Sequence, residues 1–335
     1  MSSSLADVAK IAGVSLATAS RVVSGSDYPV SQSTRTRVLN AAKQLGYRPN
    51  ALARALATQN NKIIGLMIGS VTDPYFAEIS RGVEDFTRPH GYLTIVCNTD
   101  RNLSVEMAYL KLLGEYQGGG IIFAGGMFTN TQQARELSQA VHEAWEQGVY
   151  MISIGERTFD NTPAITVDHR AGLYDLTGYM INLGHRRIAF VEGPRHFTTS
   201  DARLQGYLDA MKDSGLEPLT YPGSFDYQDG RASALRILND GLPDAIVTFN
   251  DDSAVGVLMT LRQAGVNVPE DVSLAGVDNI RYAEVLDLTT VEVPRYELGA
   301  MAARSLLNWE ESPPPPKVVL PHRVVPRGTT ARRNK

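Results

Sequence analysis

From residue 62 onward, apolar runs of strand length alternate with segments whose apolar residues recur at helical spacing. The runs lie at 63–68, 93–97, 120–123, 150–154, 165–167, 188–191, 245–249, 273–277 and 290–293; Ile79, Val83 and Phe86 mark one of the helical segments between them, and 253–261 is another. Parallel strands need a long crossover, usually a helix, so repeated units of this kind predict an α/β fold of doubly wound parallel sheets with helices on both faces. That many strands exceed one comfortable sheet and predict two lobes. The late strand at 290–293 and a helix at 297–307 read as a return to the first lobe. Pro313–Pro316 is a stiff spacer before a last strand at 318–320. The expected division is a first lobe of about 62–162 and 292–321, and a second of about 163–291 and 322–335.

The first sixty residues follow a different pattern. Ser4 followed by Asp7 reads as a capping box, opening a helix with Leu5, Val8, Ala9 and Ala12 on one face and Gly13 as its stop. Ser15 caps a second short helix to Ser24, with Ala19, Val22 and Val23 turned inward. The connection Gly13-Val14-Ser15 is the three-residue turn of a helix-turn-helix. A third helix runs from Ser31 to about Leu45, with Val38, Ala41, Ala42 and Leu45 on one face. Arg48-Pro49 breaks it, Asn50 caps a further short segment at 51–57, and Thr58–Asn61 is a polar linker. The expected domains are a small all-α head at 1–49, a hinge helix and linker at 50–61, and the body at 62–335. Residues 1–60 carry seven basic side chains against two acidic ones, a net +5; with −4 for the whole chain, the remainder carries −9. A basic head on an acidic body confines any polyanion to the head.

Other classes are excluded by what the sequence lacks. No run approaches 18 consecutive apolar residues, and the first residues have neither the basic start nor the apolar run of a signal peptide, so a cytoplasmic protein is expected, with no membrane partner. Cys97 is the single cysteine and forms no internal disulfide. There is no Gly-Lys dipeptide for a phosphate loop and no Gly-x-Ser-x-Gly elbow. The glycines at 118–120 precede a strand, so they are not a dinucleotide fingerprint. The six histidines show no close pair at ligand spacing. Neither enzyme, metal nor cofactor is expected.

The stretch Asp7-Val8-Ala9-Lys10-Ile11-Ala12-Gly13-Val14-Ser15-x-Ala17-Thr18-x-Ser20-Arg21-Val22-Val23 resembles the DNA-reading head of the lactose/galactose-repressor (LacI/GalR) family, and 46–56 resembles its hinge helix. The likeness continues through Asp73-Pro74-Tyr75-Phe76, Asn98-Thr99-Asp100, Val167-Asp168, Gly184-His185-Arg186-Arg187-Ile188, Arg203-x-x-Gly206-Tyr207, Asn250-Asp251 and Val268-Pro269-x-Asp271-Val272-Ser273. It implies a helix-turn-helix head and a two-lobed, periplasmic-binding-protein-like body. It also implies a homodimer that reads a near-palindromic operator in double-stranded DNA. In such a head the second helix enters the major groove. Leu16, Ala17 and Arg21 are its outward positions. Arg21 has the reach for guanine, Leu16 and Ala17 suit a thymine methyl, and Ser15, Thr18 and Ser20 suit phosphates.

The segment at 51–57 is too short to be a stable helix alone. The resemblance implies that it orders on DNA, with Asn50 as its cap, Leu52 and Ala53 facing the partner hinge and groove, Arg54 beside them, and Leu56 wedged into a central C·G step. For the body it implies a small-molecule effector between the lobes, met by Asp73, Tyr75, Phe76, Glu156, Arg157, Arg203, Phe225, Asn250 and Asp278. Carboxylates and arginines suit vicinal hydroxyls, and Phe76 and Phe225 suit the C–H face of a sugar. A monosaccharide is expected, a pentose or its nucleoside ahead of a hexose. The expected function is an effector-controlled transcriptional repressor. A co-repressor-dependent or activating regulator is the alternative within the family, and a sugar-binding module with no DNA role is the alternative outside it.

Overall fold

The computed structural model describes residues 3–24, 28–47, 61–115 and 118–333. The chain divides into two compact units, Met1–Lys62 and Ile63–Lys335. In the first, α1 is Leu5–Ala12, α2 is Leu16–Val23 and α3 is Gln32–Gln44. Local chemistry sets these limits. Ser4 accepts from the Asp7 amide while the Asp7 carboxylate accepts from the Ser4 amide, and Gly13 ends α1 at φ +63°. Ser15 and Ser31 cap the next two helices. Val8, Ala9, Ala12, Ala19, Val22, Val38 and Ala41 close the small core; Val23, expected inward, is half-buried.

The second unit holds two sheets. The first contains β1 (Asn61–Ile68), β2 (Leu93–Asn98), β3 (Gly118–Ala124), β4 (Met151–Ile154), β5 (Ala164–Val167) and β11 (Lys317–Leu320), in the order β11-β5-β4-β3-β1-β2. The other contains β6 (Ile188–Val191), β7 (Leu219–Tyr221), β8 (Ala245–Thr248) and β9 (Ser273–Ala275), in the order β7-β6-β8-β9. The pairings described within both are parallel. A two-stranded antiparallel ribbon, β10 (Thr290–Glu292) with β12 (Arg323–Val325), accompanies the return of the chain.

Alternation along each strand feeds two cores, one on either face of the sheet. In β1, Ile64, Leu66 and Ile68 enter one cluster and Met67 the other; in β8, Ile246 enters one and Ala245 and Val247 the other. Helices cover these faces. In the first lobe α4 (Pro74–Thr87) crosses α12 (Arg295–Leu307) through paired glycines: a Cβ on Gly82 would lie 2.1 Å from the Tyr296 carbonyl oxygen, and one on Gly299 would lie 2.1 Å from that of Ile79.

Two expectations shift. β5 pairs with β4 and β11, and its Ile165 and Val167 fill the first lobe's core, so the passage to the second lobe falls at Asp168 and not at about 163. The three-residue strands β7 and β12 lie outside the apolar runs that the sequence marks.

Candidate nucleic-acid interface and effector cleft

On α2 the side chains divide as the helical period requires: Ala19 and Val22 are buried, while Leu16, Ala17 and Arg21 are exposed, Leu16 by 54%. Ser15 accepts from the Thr18 amide at 3.1 Å and its hydroxyl lies 2.8 Å from that of Thr18, so both residues fix the helix start; Ser20 is half-buried. The Arg21 guanidinium lies 3.9 Å from the centroid of the Tyr28 ring. That contact joins α2 to a residue that precedes α3 and has no local signal in the sequence. Asn50, Leu52, Ala53, Arg54 and Leu56 lie outside the described residues.

In the body, residues that follow the carboxyl ends of the strands converge on a cavity of about 60 Å³ between the lobes. Asp73 at the start of α4, Arg101 after β2, Gly125 after β3, Arg157 after β4 and His169 after β5 line it from the first lobe and its junction. Phe197 after β6, Phe225 after β7, Asn250 after β8 and Asp278 after β9 line it from the second.

The structure thus brings together Asp73, Tyr75, Phe76, Arg157, Arg203, Phe225, Asn250 and Asp278. Glu156 lies elsewhere: its side chain is half-exposed and pairs with Lys317 at 2.5 Å, because consecutive side chains leaving β4 point opposite ways. Several of the assembled residues hold each other. Asp73 caps α4 through the Tyr75 amide at 3.0 Å and pairs with Arg101 at 2.5 Å. Asn250 caps α10 (Asp251–Gln263) through the Ser253 amide and donates to the Phe225 carbonyl oxygen at 2.7 Å. Arg157 is buried against Glu106, at 2.6 Å, and donates to the Gly125 carbonyl oxygen at 3.0 Å. Arg203 donates to Asp278 at 2.6 Å and to the Phe249 carbonyl oxygen at 2.6 Å, leaving its Nε buried with no hydrogen-bond partner among the described residues.

The electrostatics follow from this burial. Desolvation raises the carboxyl of Asp278 above its ordinary value, against the pull of the Arg203 charge. Burial, followed by the Asp278 charge, drives the Tyr75 hydroxyl far up, so it stays protonated. His169, whose Nδ1 lies 3.4 Å from an Arg203 nitrogen, is held well below its usual value, first by burial and then by the Arg203 charge, and is neutral. Asp278 also sits at φ +109°, a strained conformation for a side-chain-bearing residue. Sequence reasoning passed over Arg101, Glu106, His169 and Phe249 as site residues. Arg101 and His169 directly follow the quoted stretches ending at Asp100 and Asp168, and their position after a strand end was the available signal.

The comparisons with known proteins agree with this architecture. Residues 4–50 match the profile of bacterial regulatory proteins of the lacI family, and 177–330 match that of a periplasmic binding protein-like domain. Catabolite control protein A of Priestia megaterium is 33% identical over 339 residues, covering 98% of this chain and all of that one. The crystal structure of the Lac repressor dimer bound to operator and the anti-inducer ONPF superposes with a TM-score of 0.86 at 25% identity, covering 99% of this chain and 100% of that one. A LacI family transcriptional regulator from Enterococcus faecium, crystallised with bound ribose, gives a TM-score of 0.73 at 28% identity and covers 81% of this chain and 100% of its own. The chain belongs to the lacI family of bacterial regulatory proteins and is a DNA-binding transcriptional regulator.

Proposed function

We propose that this regulator is a cytoplasmic repressor whose operator affinity is set by a small neutral polyol bound between the lobes of the body. The pairing of charges in the cleft carries the reading. Three carboxylates, Asp73, Glu106 and Asp278, face three guanidiniums, Arg101, Arg157 and Arg203, in three ion pairs at 2.5, 2.6 and 2.6 Å. A multiply anionic ligand is repelled by these carboxylates, whereas a hydroxyl donates to one whether or not an arginine also holds it. Phe76, Phe197, Phe225 and Phe249 supply the apolar walls that a sugar's C–H face requires. The ribose bound to the Enterococcus faecium regulator supports a pentose or its nucleoside. The cavity is far smaller than the roughly 300 Å³ of ordinary ligand pockets, so the effector enters only as the cleft rearranges. Calorimetry of pentoses, hexoses, nucleosides and their phosphates, with and without operator, tests this. Linkage requires an effector that alters operator affinity to have its own affinity altered by the same factor. Binding confined to a purine base or a multiply phosphorylated sugar would overturn the polyol reading.

At the head, two copies of α2 are proposed to read an inverted repeat whose central C·G step receives the two Leu56 side chains. Replacing Arg21 with alanine then costs about 1–3 kcal/mol at one symmetric guanine pair and relaxes selectivity there. Titration against operators changed one base pair at a time checks it; an equal loss on every sequence would make Arg21 a phosphate contact.

A further inference from the structure

Arg101 stands where the effector should. It follows β2 in a tight turn in which Asp100 and Arg101 take φ values of +49° and +56°. The Asn98 side chain holds that turn, accepting from the Val71 amide at 2.8 Å and donating to Asp100 at 3.0 Å. The aliphatic stem then runs over Gly69, where an added Cβ would lie 3.0 Å from the Arg101 Cγ. From there the guanidinium pairs with Asp73 of the first lobe at 2.5 Å. It lies 3.9 Å from the centroid of Phe225, a second-lobe ring, and 5.8 Å from that of Phe76, a first-lobe ring. One side chain therefore occupies the aromatic slot, satisfies the nearest carboxylate and spans the lobes. Around it the rim is drawn together. The Thr129 amide donates to the His196 carbonyl oxygen at 2.7 Å, the Thr198 amide donates to that of Met127 at 3.0 Å, and Phe128 packs edge-on against Phe197.

We propose that Arg101 is an internal occupant of the effector subsite: its guanidinium fills the slot between Phe76 and Phe225 and ties the first lobe to the second, and an effector enters by taking its place. A planar cation over an aromatic face is a good surrogate for a sugar, since both present a flat face to the ring and hydrogen-bond donors at the edge. The occupant also sets specificity. A ligand that displaces it must cover Phe225 and offer Asp73 a donor, which selects a ring bearing a free hydroxyl next to its stacking face. Arginine stacked and ion-paired at once is not replaced by lysine, whose point charge pairs with Asp73 but does not lie flat on Phe225.

This deepens the reading of the cleft as an effector site, so its test is run without effector and the two fail separately. Spin labels at Leu112 and Leu235, both exposed and one in each lobe, report the interlobe distance in the full chain carrying Cys97→Ser, diluted into excess unlabelled protein. Arg101→Ala and Phe225→Leu are each expected to lengthen and broaden the distance distribution by several ångströms, and the double variant to add nothing further. Arg101→Met keeps the stem's volume and removes the charge; it is expected to widen the distribution as alanine does, and its melting temperature confirms that the lobes remain folded. Distributions for Arg101→Ala and Arg101→Met that superpose on that of the parent overturn the proposal. So does widening on loss of Arg101 but not of the Phe225 ring, because the guanidinium then acts through Asp73 alone.

Discussion

Arg203→Ala lowers the stability of the ligand-free body by about 3–5 kcal/mol, the cost of breaking a buried pair from one side. The Arg203 and Asp278 side chains are 3% and 7% exposed and meet at 2.6 Å, so alanine strands a carboxylate in an almost wholly buried position. It also removes the donor to the Phe249 carbonyl oxygen at the end of β8. Arg295 does not rescue the loss, because it is already committed to the backbone oxygens of Asp278 and Asn279 and to Glu78. In a body of this size each kcal/mol is worth about 2–4 °C in melting temperature, so the shift is read readily by calorimetry. Replacing Arg203 and Asp278 together by apolar residues of similar volume costs less than either single change, since no charge is left unpaired. A single variant within about 1 kcal/mol of the parent would mean that the pair is solvated and free to serve a ligand directly. The family resemblance implies that Arg203 is a donor to the effector; in the structure both its terminal nitrogens are engaged, by the Phe249 carbonyl oxygen and Asp278, so its loss is felt first in stability.

The boundary between what the sequence disclosed and what it withheld follows the range of the interactions. The ends of α1, α2 and α3 were readable because Ser4 with Asp7, Gly13, Ser15 and Ser31 act within three or four residues of themselves. The body's alternation of strands and helices was readable for the same reason. The lobe to which β5 belongs was not, because Ile165 and Val167 are an apolar run in either lobe and only pairing with β4 on one side and with β11, more than 150 residues away, on the other decides it. Glu156 and Arg157 are neighbours with similar reach, yet one pairs at the surface with Lys317 and the other turns in to Glu106, a partner no spacing rule connects to it. Arg101 escaped for a further reason. Its direction depends on a left-handed turn at Asp100 and Arg101, a conformation that an aspartate tolerates but that an arginine does not signal.

Stability is also expected to fall as pH rises through the neutral range, through Asp251. This side chain is wholly buried at the start of α10, where it accepts from the Thr290 hydroxyl at 2.6 Å and the Ile280 amide at 2.9 Å. Burial, aided by the neighbouring Asp278 charge, pushes its carboxyl up to about 8. An unfolded chain titrates this group near 4, so between about 4 and 8 the folded form binds the proton more tightly, and stability declines across that window. The integrated effect is on the order of a few kcal/mol, shared with Asp278, whose carboxyl is raised by the same burial. The buried histidines oppose it only at lower pH. His169 and His185 are held below their ordinary value, so their contribution rises with pH and is complete once the unfolded chain's histidines have lost their protons, above about 6.5. Melting temperatures followed from pH 7 to 9 therefore avoid the histidines, and the Cys97 thiol, raised by burial, contributes equally to parent and variant. Asp251→Asn keeps the packing, because the amide oxygen still accepts from Ile280 and the Thr290 hydroxyl reverses to accept from the amide nitrogen. The parent is expected to lose stability across this interval and the asparagine variant to lose distinctly less. Parallel curves would show that Asp251 is ionised throughout, held by its two donors against the burial that surrounds it.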